Sequence, residues 1–364
     1  MNQNIDVSNI PKYLHLNNKI NKVNNDKTNN KTNDKTNNKT SQFVKYCFYS
    51  INEAEISDTI KNIPYYFNCY FIVESYDFLN INKLDDDFIE KLNISDDHQY
   101  LIFKYNNVNT VNYTDYLFDL HEPKLFILNI IESFSYLLKS LITLNSKNIC
   151  FFNLSPENIV FNLDCGKKPF LQNFQLSLNI DNLSESYITN IIEKTYDYTH
   201  KPIEVHLLFY LIKNDMNTIS YSFIEEISDI FINNLHILNM FSAQFKESYK
   251  KSSIEFMKKY INKSKKEIIL SILEYTDKFD VYSLSVLYLH IFGNISKIFN
   301  LKQTFINKIS LELSKNIHPD PVKRSSLQKL FETFDKLFMN ENDWSFAENI
   351  EVFKMRNLLN ILDT

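Results

Sequence analysis

From Lys124 to Leu144 the apolar residues Phe126, Ile127, Ile130, Ile131, Phe134, Leu137, Leu138, Leu141 and Ile142 recur at three and four, which predicts one long core helix. Ahead of it the pattern is shorter. Aromatic and β-branched runs at Phe43 to Tyr49, Tyr70 to Ser75 and Tyr100 to Tyr105 predict a small sheet, and the helical-looking piece NEAEISDTIKNI lies between the first two. Behind the long helix, short strands are expected around Pro156 to Phe161 and Pro169 to Leu171, and beyond about residue 200 the pattern is helical throughout. A small sheet followed by many helices predicts an α+β chain with two unequal lobes. Residues 19–41, KINKVNNDKTNNKTNDKTNNKTS, carry almost no apolar side chain to offset the entropy of ordering, so a disordered tract is expected there.

Composition narrows the chemistry. The 364 residues include only 2 glycines, Gly166 and Gly293, where average usage of about 7% would give roughly 25. A dinucleotide fingerprint, a Walker A loop and a G-x-S-x-G nucleophile elbow cannot be written with so few. The 30 Phe and 22 Tyr supply large side chains for a filled interior, and the surplus of Asn and Lys matches an AT-rich genome, such as that of a large DNA virus. A net charge of -5 argues against a surface spread along duplex nucleic acid. Cys47, Cys69, Cys150 and Cys165 form no C-x-x-C pair and read as reduced. No signal peptide is legible at the start, and Glu132 and Lys139 interrupt the best apolar stretch, so no transmembrane segment is expected. The expected location is the cytoplasm, or the host cytoplasm or virion if the chain is viral.

Four ordered motifs then point one way. FFNLSPEN at 151–158 sits where the eukaryotic-type protein kinase family writes H-R-D-L-K-P-E-N, and Asn173-Phe174-Gln175 sits where it writes D-F-G. DKFDVYSLSVLYLHIF resembles the family's buried helix after the activation segment, and HPDPVKRSS its late D-P-x-x-R element. On these residues the chain resembles that family over roughly 43–335. The resemblance implies a protein-kinase-like bilobal fold: an N-terminal segment at 1–42, a reduced N-lobe at 43–106, a C-lobe at 107–340 and a C-terminal acidic helix at 341–364.

The same resemblance implies that the chemistry is degenerate. Asn153 stands where the family's catalytic aspartate accepts a proton, and an amide is no useful base. Asn173 stands where an aspartate holds Mg²⁺, and offers a neutral carbonyl oxygen instead. Ser155 replaces the lysine that assists the transferred phosphate, whereas Asn158, the second metal ligand, is retained. Lys45 and Glu55, ten positions apart, read either as the family's nucleotide-binding lysine–glutamate pair or as two surface charges. The structural positions are kept: Asp280 matches the buried aspartate that ties the catalytic loop to the core helix, and Glu204 with Arg324 matches the pair joining the activation segment to the last helices. KPIE replaces A-P-E, leaving the register at Pro202 to Glu204 open by a residue.

About fifty extra residues form an insertion near 207–276. Its eight lysines between Lys246 and Lys266 read either as a docking helix for an acidic partner, nucleic acid or anionic lipid, or as a solvated helix packed on one side. His200 and His206 form no ligand set, the acids Asp85 to Asp87 and Asp96-Asp97 read as solvated loops, and Trp344 is expected to dock a C-terminal helix. The expected function is a pseudokinase acting as a binding or scaffold module for a protein partner, with no cofactor. The alternatives are a divergent Ser/Thr protein kinase using ATP and magnesium, with Asp164 or Asp181 as substitute metal ligands, and a helical interaction protein unrelated to kinases.

Overall fold

The long amphipathic run becomes helix α3 (Pro123–Asn145), started by proline at its first position and lined inside by Phe126, Ile130, Phe134, Leu137, Leu141 and Leu144. It packs beside α9 (Phe279–Ile298), which is apolar on almost every side and therefore lies in the interior. Phe134 meets Tyr288 of α9 edge-on, with ring centroids 4.9 Å apart, and the Tyr288 and Ser133 hydroxyls share a hydrogen bond of 2.7 Å. By length and composition α3 could span a membrane, but its apolar residues are spent on the core of the fold.

The computed structural model describes residues 39–79, 99–118, 122–164, 166–195, 200–299, 303–341, 344, 354–355 and 357–358. Most of the expected disordered tract, the acids at 85–87 and 96–97, and Cys165 lie outside the described residues. The tract's last residues do not: strand β1 (Lys39–Lys45) begins inside it, earlier than the boundary at 43 read from the sequence. Alternation did not mark that start, because Lys39, Thr40 and Ser41 are polar and take their place from pairing with β4 (Tyr100–Asn106).

The chain is α+β. In the sheet region β1 and β3 (Ser75–Phe78) flank β4 in an antiparallel sheet, with Phe43 opposite Ile102 and Tyr76 opposite Phe103. Leu101, Phe103 and Tyr105 alternate inward along β4 and bury Ala54 of helix α1 (Phe48–Lys61) in a small core of their own. α1 starts at Phe48, so the expected first strand ends before Tyr49.

A second sheet crosses from this region into the helical body. β2 (Tyr70–Phe71) pairs in parallel with β8 (Lys168–Gln172), then come β7 (Ile159–Asn162) and β5 (Thr110–Asn112). The Tyr70 hydroxyl donates to the Ser140 carbonyl of α3 at 2.8 Å, and Ile56, Ile60 and Tyr70 belong to the main core. One continuous apolar core thus runs beneath both parts. The remaining elements are α2 (Tyr113–Phe118), β6 (Ile149–Cys150), β9 (Leu178–Asn179), α4 (Glu185–Glu193), α5 (Ile203–Lys213), α6 (Tyr221–Asn234), α7 (Ala243–Met257), α8 (Lys265–Leu273), α10 (Phe305–Asn316) and α11 (Leu327–Met339).

Scarcity of glycine shifts its usual tasks to other residues. Ser184, Ser220, Ser242, Ser264 and Ser326 cap α4, α6, α7, α8 and α11, each accepting a backbone N–H of the first turn. Left-handed positions are taken by Asn148, Asn173, Asn262 and Asp215, the side chains that tolerate them best, and also by Phe152, where a bulky residue is strained. Trp344 rests on Phe305 and Phe338, with ring centroids 5.6 and 5.4 Å away, and Met355 and Leu358 beyond it are buried.

Candidate functional site

Asp280, in the first turn of α9, organises the loop after β6. Its two carboxylate oxygens accept the backbone N–H groups of Phe151 and Phe152 at 2.8 and 2.7 Å, and Phe152 is thereby held at φ 62°. Burial pushes Asp280 up to about 6, opposed by the Phe152 and Phe151 N–H groups, the Cys150 thiol and Lys201. The Cys150 thiol is itself pushed up by burial and by the Asp280 charge.

This bend sets Asn153 beside two further asparagines. The Asn173 amide donates to Asn158 Oδ1 at 2.9 Å, and the Asn158 amide donates to the Asn153 carbonyl at 2.8 Å and to Ser155 Oγ at 3.2 Å. Lys201, almost fully buried, donates to Asn153 Oδ1 at 3.3 Å and lies 5.5 Å from the Phe152 ring centre. The four predicted positions Asn153, Ser155, Asn158 and Asn173 are therefore brought together around Asn158. Every member of the asparagine–serine network is neutral, so it holds no general base and no anionic oxygen for a hard cation. Among the described residues no group of three or more His, Cys, Asp or Glu side chains could hold a metal ion.

Lys45 and Glu55 are not brought together. Lys45 ends β1 in an exposed position, and Glu55 faces solvent on α1 with no ion pair among the described residues. The carboxylate turned toward the site is Glu53, which accepts the Phe174 backbone N–H and is pushed up to about 7 by loss of water around it. Its neighbour Asn52 donates to the carbonyls of Gln175 and Ser177 at 3.0 and 2.9 Å and accepts from the Tyr187 hydroxyl at 2.7 Å. α1 is thus fastened to the segment after Asn173. Helical spacing carried this signal: Asn52 and Glu53 stand four and three before Ile56, on the buried side, whereas Glu55 does not. Nothing in the pattern pointed to Lys201 or Tyr187, which arrive from far along the chain.

Glu204 and Arg324 meet as a fully buried fork, with Nη1 to Oε1 at 2.5 Å and Nη2 to Oε2 at 3.0 Å, which fixes the register left open at Pro202 to Glu204. Arg324 also donates to the carbonyls of His318 and Pro319 at 2.7 and 3.0 Å and stacks 4.9 Å from the Tyr282 ring centre. His206 is buried against Phe231, and the His200 carbonyl accepts from Ser283, so neither takes part in the asparagine network.

The inserted helices α6, α7 and α8 bury Tyr249, Phe256, Met257 and Tyr260. Their lysines are largely answered at home: Lys250 pairs with Asp229, Lys251 with Glu247, Lys258 with Glu255 and Lys265 with Asp215, while Lys246 donates to Asn239. A basic face running the length of α7 is therefore not what the insertion presents. Of the acids considered as substitute ligands, Asp164 accepts the Asn109 N–H at the far end of β7 from Asn158, and Asp181 accepts from the Asn148 amide. No protein-family model matches the chain, and no curated protein matches it.

Proposed function

We propose that the chain is a protein-kinase-like protein that has given up phosphoryl transfer, a pseudokinase acting as a binding or scaffold module for a protein partner in the cytoplasm. The observation that carries this reading is the neutral hydrogen-bond network of Asn153, Ser155, Asn158 and Asn173. At the positions where the resemblance calls for a proton acceptor and metal ligands, neutral amides stand instead, two of them joined to each other and the third held by Lys201, so a nucleotide–metal complex would find no negative oxygen there. Phosphoryl transfer rests on positioning and on charge neutralisation, and both are missing there.

Support also comes from the positions that were kept. Asp280 tethers the Phe151–Phe152 bend to α9, and the Glu204–Arg324 fork joins α5 to the turn before α11, in the roles that the resemblance assigns them. The antiparallel sheet of β1, β3 and β4 favours this reading over an unrelated all-helical interaction protein. Asp164 and Asp181, the acids invoked for a divergent active kinase, are engaged away from the network.

Thermal melting with millimolar ATP and magnesium tests the proposal. A ligand at 100 times its Kd adds about 2.7 kcal/mol, enough to move Tm by degrees. No Mg-dependent shift is expected, and no radiolabel should pass from γ-labelled ATP to a generic acceptor or to the protein itself. A clear Mg-dependent shift with incorporation would instead identify an active kinase.

A further inference from the structure

The second half of the insertion builds a cavity of about 330 Å³ against the loop that precedes α11. From the insertion come Ser252, Glu255, Phe256 and Lys259; from the loop come His318, Asp320, Val322 and Lys323. The volume lies in the range of ligand sites and exceeds what one small ion fills.

Of its two acids, one is neutralised by an ion pair. Glu255 is held by Lys258 at 2.8 Å, and Asp320 accepts the Val322 N–H at 3.1 Å as the cap of its own turn. Neither Lys259 nor Lys323 forms an ion pair with any described residue, Lys259 donating only to the Tyr275 hydroxyl at 3.4 Å, and the Ser252 hydroxyl has no hydrogen bond among them. Lys259 is nonetheless held in place, with the rings of Phe256, Tyr260 and Tyr275 centred 4.2, 4.9 and 4.9 Å from its ammonium. His318 accepts the Asp320 N–H on Nδ1 at 2.9 Å, which leaves the ring hydrogen of the neutral imidazole on Nε2 as a donor. The loop is rigid because buried Arg324 binds the carbonyls of His318 and Pro319. Two ammonium groups, that of Lys259 held in place, a hydroxyl and an imidazole N–H line one space, so a ligand need order only the exposed Lys323. Beside them Val322 is 67% exposed and Phe256 offers an apolar floor, surfaces with nothing to gain from a bare ion.

We propose that this cavity recognises a phosphorylated segment of a protein partner, with the phosphoryl dianion between Lys259 and Lys323 and a neighbouring apolar residue of the segment on Val322 and Phe256. Two positive charges match a phosphoryl group near pH 7 better than one carboxylate, and its three oxygens can use the Ser252 and His318 donors as well. The inference does not rest on the pseudokinase reading. The cavity shares no residue with the asparagine network, so nucleotide binding or activity there leaves it untouched.

The test is retention, on the full-length chain, of a degenerate peptide library with a central phosphoserine against the same library with serine. The phosphorylated library should be enriched about tenfold or more. Lys323→Glu, an exposed substitution, and Lys259→Met, which keeps the aliphatic stem against the rings, should each lower the affinity of a selected peptide about tenfold, the size expected for one charge-assisted hydrogen bond. Melting curves check that each variant is folded, and if Lys259→Met is not, Lys323→Glu decides alone. Equal retention of the two libraries overturns the proposal, as does phosphorylation-dependent binding that survives the folded lysine variants. Inorganic phosphate binding as tightly as the best peptide, or Lys323-dependent binding to anionic phospholipid vesicles without peptide enrichment, also overturns it by assigning the site to a free ion or a lipid surface.

Discussion

Two buried polar centres about α9 differ in a telling way. At Asp280 and at the Glu204–Arg324 fork, charged groups persist inside the protein and each is answered by geometry: two backbone N–H groups for the aspartate, two guanidinium donors for Glu204, and two backbone carbonyls besides Glu204 for the arginine. At Asn153, Asn158 and Asn173 the resemblance calls for carboxylates at two positions, and amides stand there instead. A buried charge that holds the fold is costly to lose on one side only. A carboxylate kept for a metal is a burden once the metal is not bound, because two such groups repel each other, whereas amides can hydrogen-bond to one another. The contrast separates what the fold requires from what a reaction would require.

The sharpest way to break that contrast is at the fork. Arg324→Ala leaves Glu204 unpaired in the interior and is expected to cost about 3–5 kcal/mol, read from urea denaturation. A cost near zero would mean that the fork is incidental to the fold. Asp280→Ala strips the acceptor from the Phe151 and Phe152 N–H groups and should cost about 2–3 kcal/mol. It should also show up in the pH profile. Asp280 is raised to about 6 from an ordinary 3.8, so the folded state takes up the proton first, and its contribution is full below pH 4 and lost as the pH rises through 6. The alanine variant should lack that decline.

Glu53 tests the edge of the network. Its rise to about 7 from 4.5 has the same sign: stability is lost as the pH rises from 4.5 through 7. Glu53→Gln keeps an acceptor for the Phe174 N–H and removes the charge, so it should be more stable than wild type by about 2 kcal/mol at pH 8 and close to it at pH 4. An unchanged pH profile would place the Glu53 carboxyl in water. The smallest expected effect is on activity. Asn153→Asp with Asn173→Asp supplies both carboxylates that the resemblance calls for, yet γ-phosphate incorporation should stay at background, because Ser155 still stands where the resemblance calls for a lysine and the buried Lys201 would pair with the new acid at position 153. Robust incorporation would show that the two asparagines were the only defects, and the contrast between the centres would then be shallow.

The residues of the asparagine network, Asp280, Glu204 and Arg324 were legible because each sits in a local run with fixed spacing. FFNLSPEN, NFQ and HPDPVKRSS are short enough to read without knowing what faces them. Of the two readings of Lys45 and Glu55, the two exposed charges match the structure: Glu55 lies off the face set by Ile56 and Ile60, and Glu53 lies on it. The lysine-rich insertion was open to two readings because its charge answers come from outside the run as well as within it, Asp229 and Asp215 among them.

By itself the sequence determined the α+β class, the long core helix, the absence of glycine-built phosphate loops and the amides at positions 153, 158 and 173. These follow from side-chain type and from periods of two and 3.6, which act between near neighbours. Only the tertiary structure decided that β2 joins β8 across the two parts of the fold, that α1 turns Asn52 and Glu53 toward Gln175 and Ser177, and that Lys201 reaches Asn153. Only there, too, do Lys259 and Lys323 come to line one cavity. Contacts of that kind join residues tens of positions apart, and their energy depends on burial and on which partner arrives, so no local pattern encodes them.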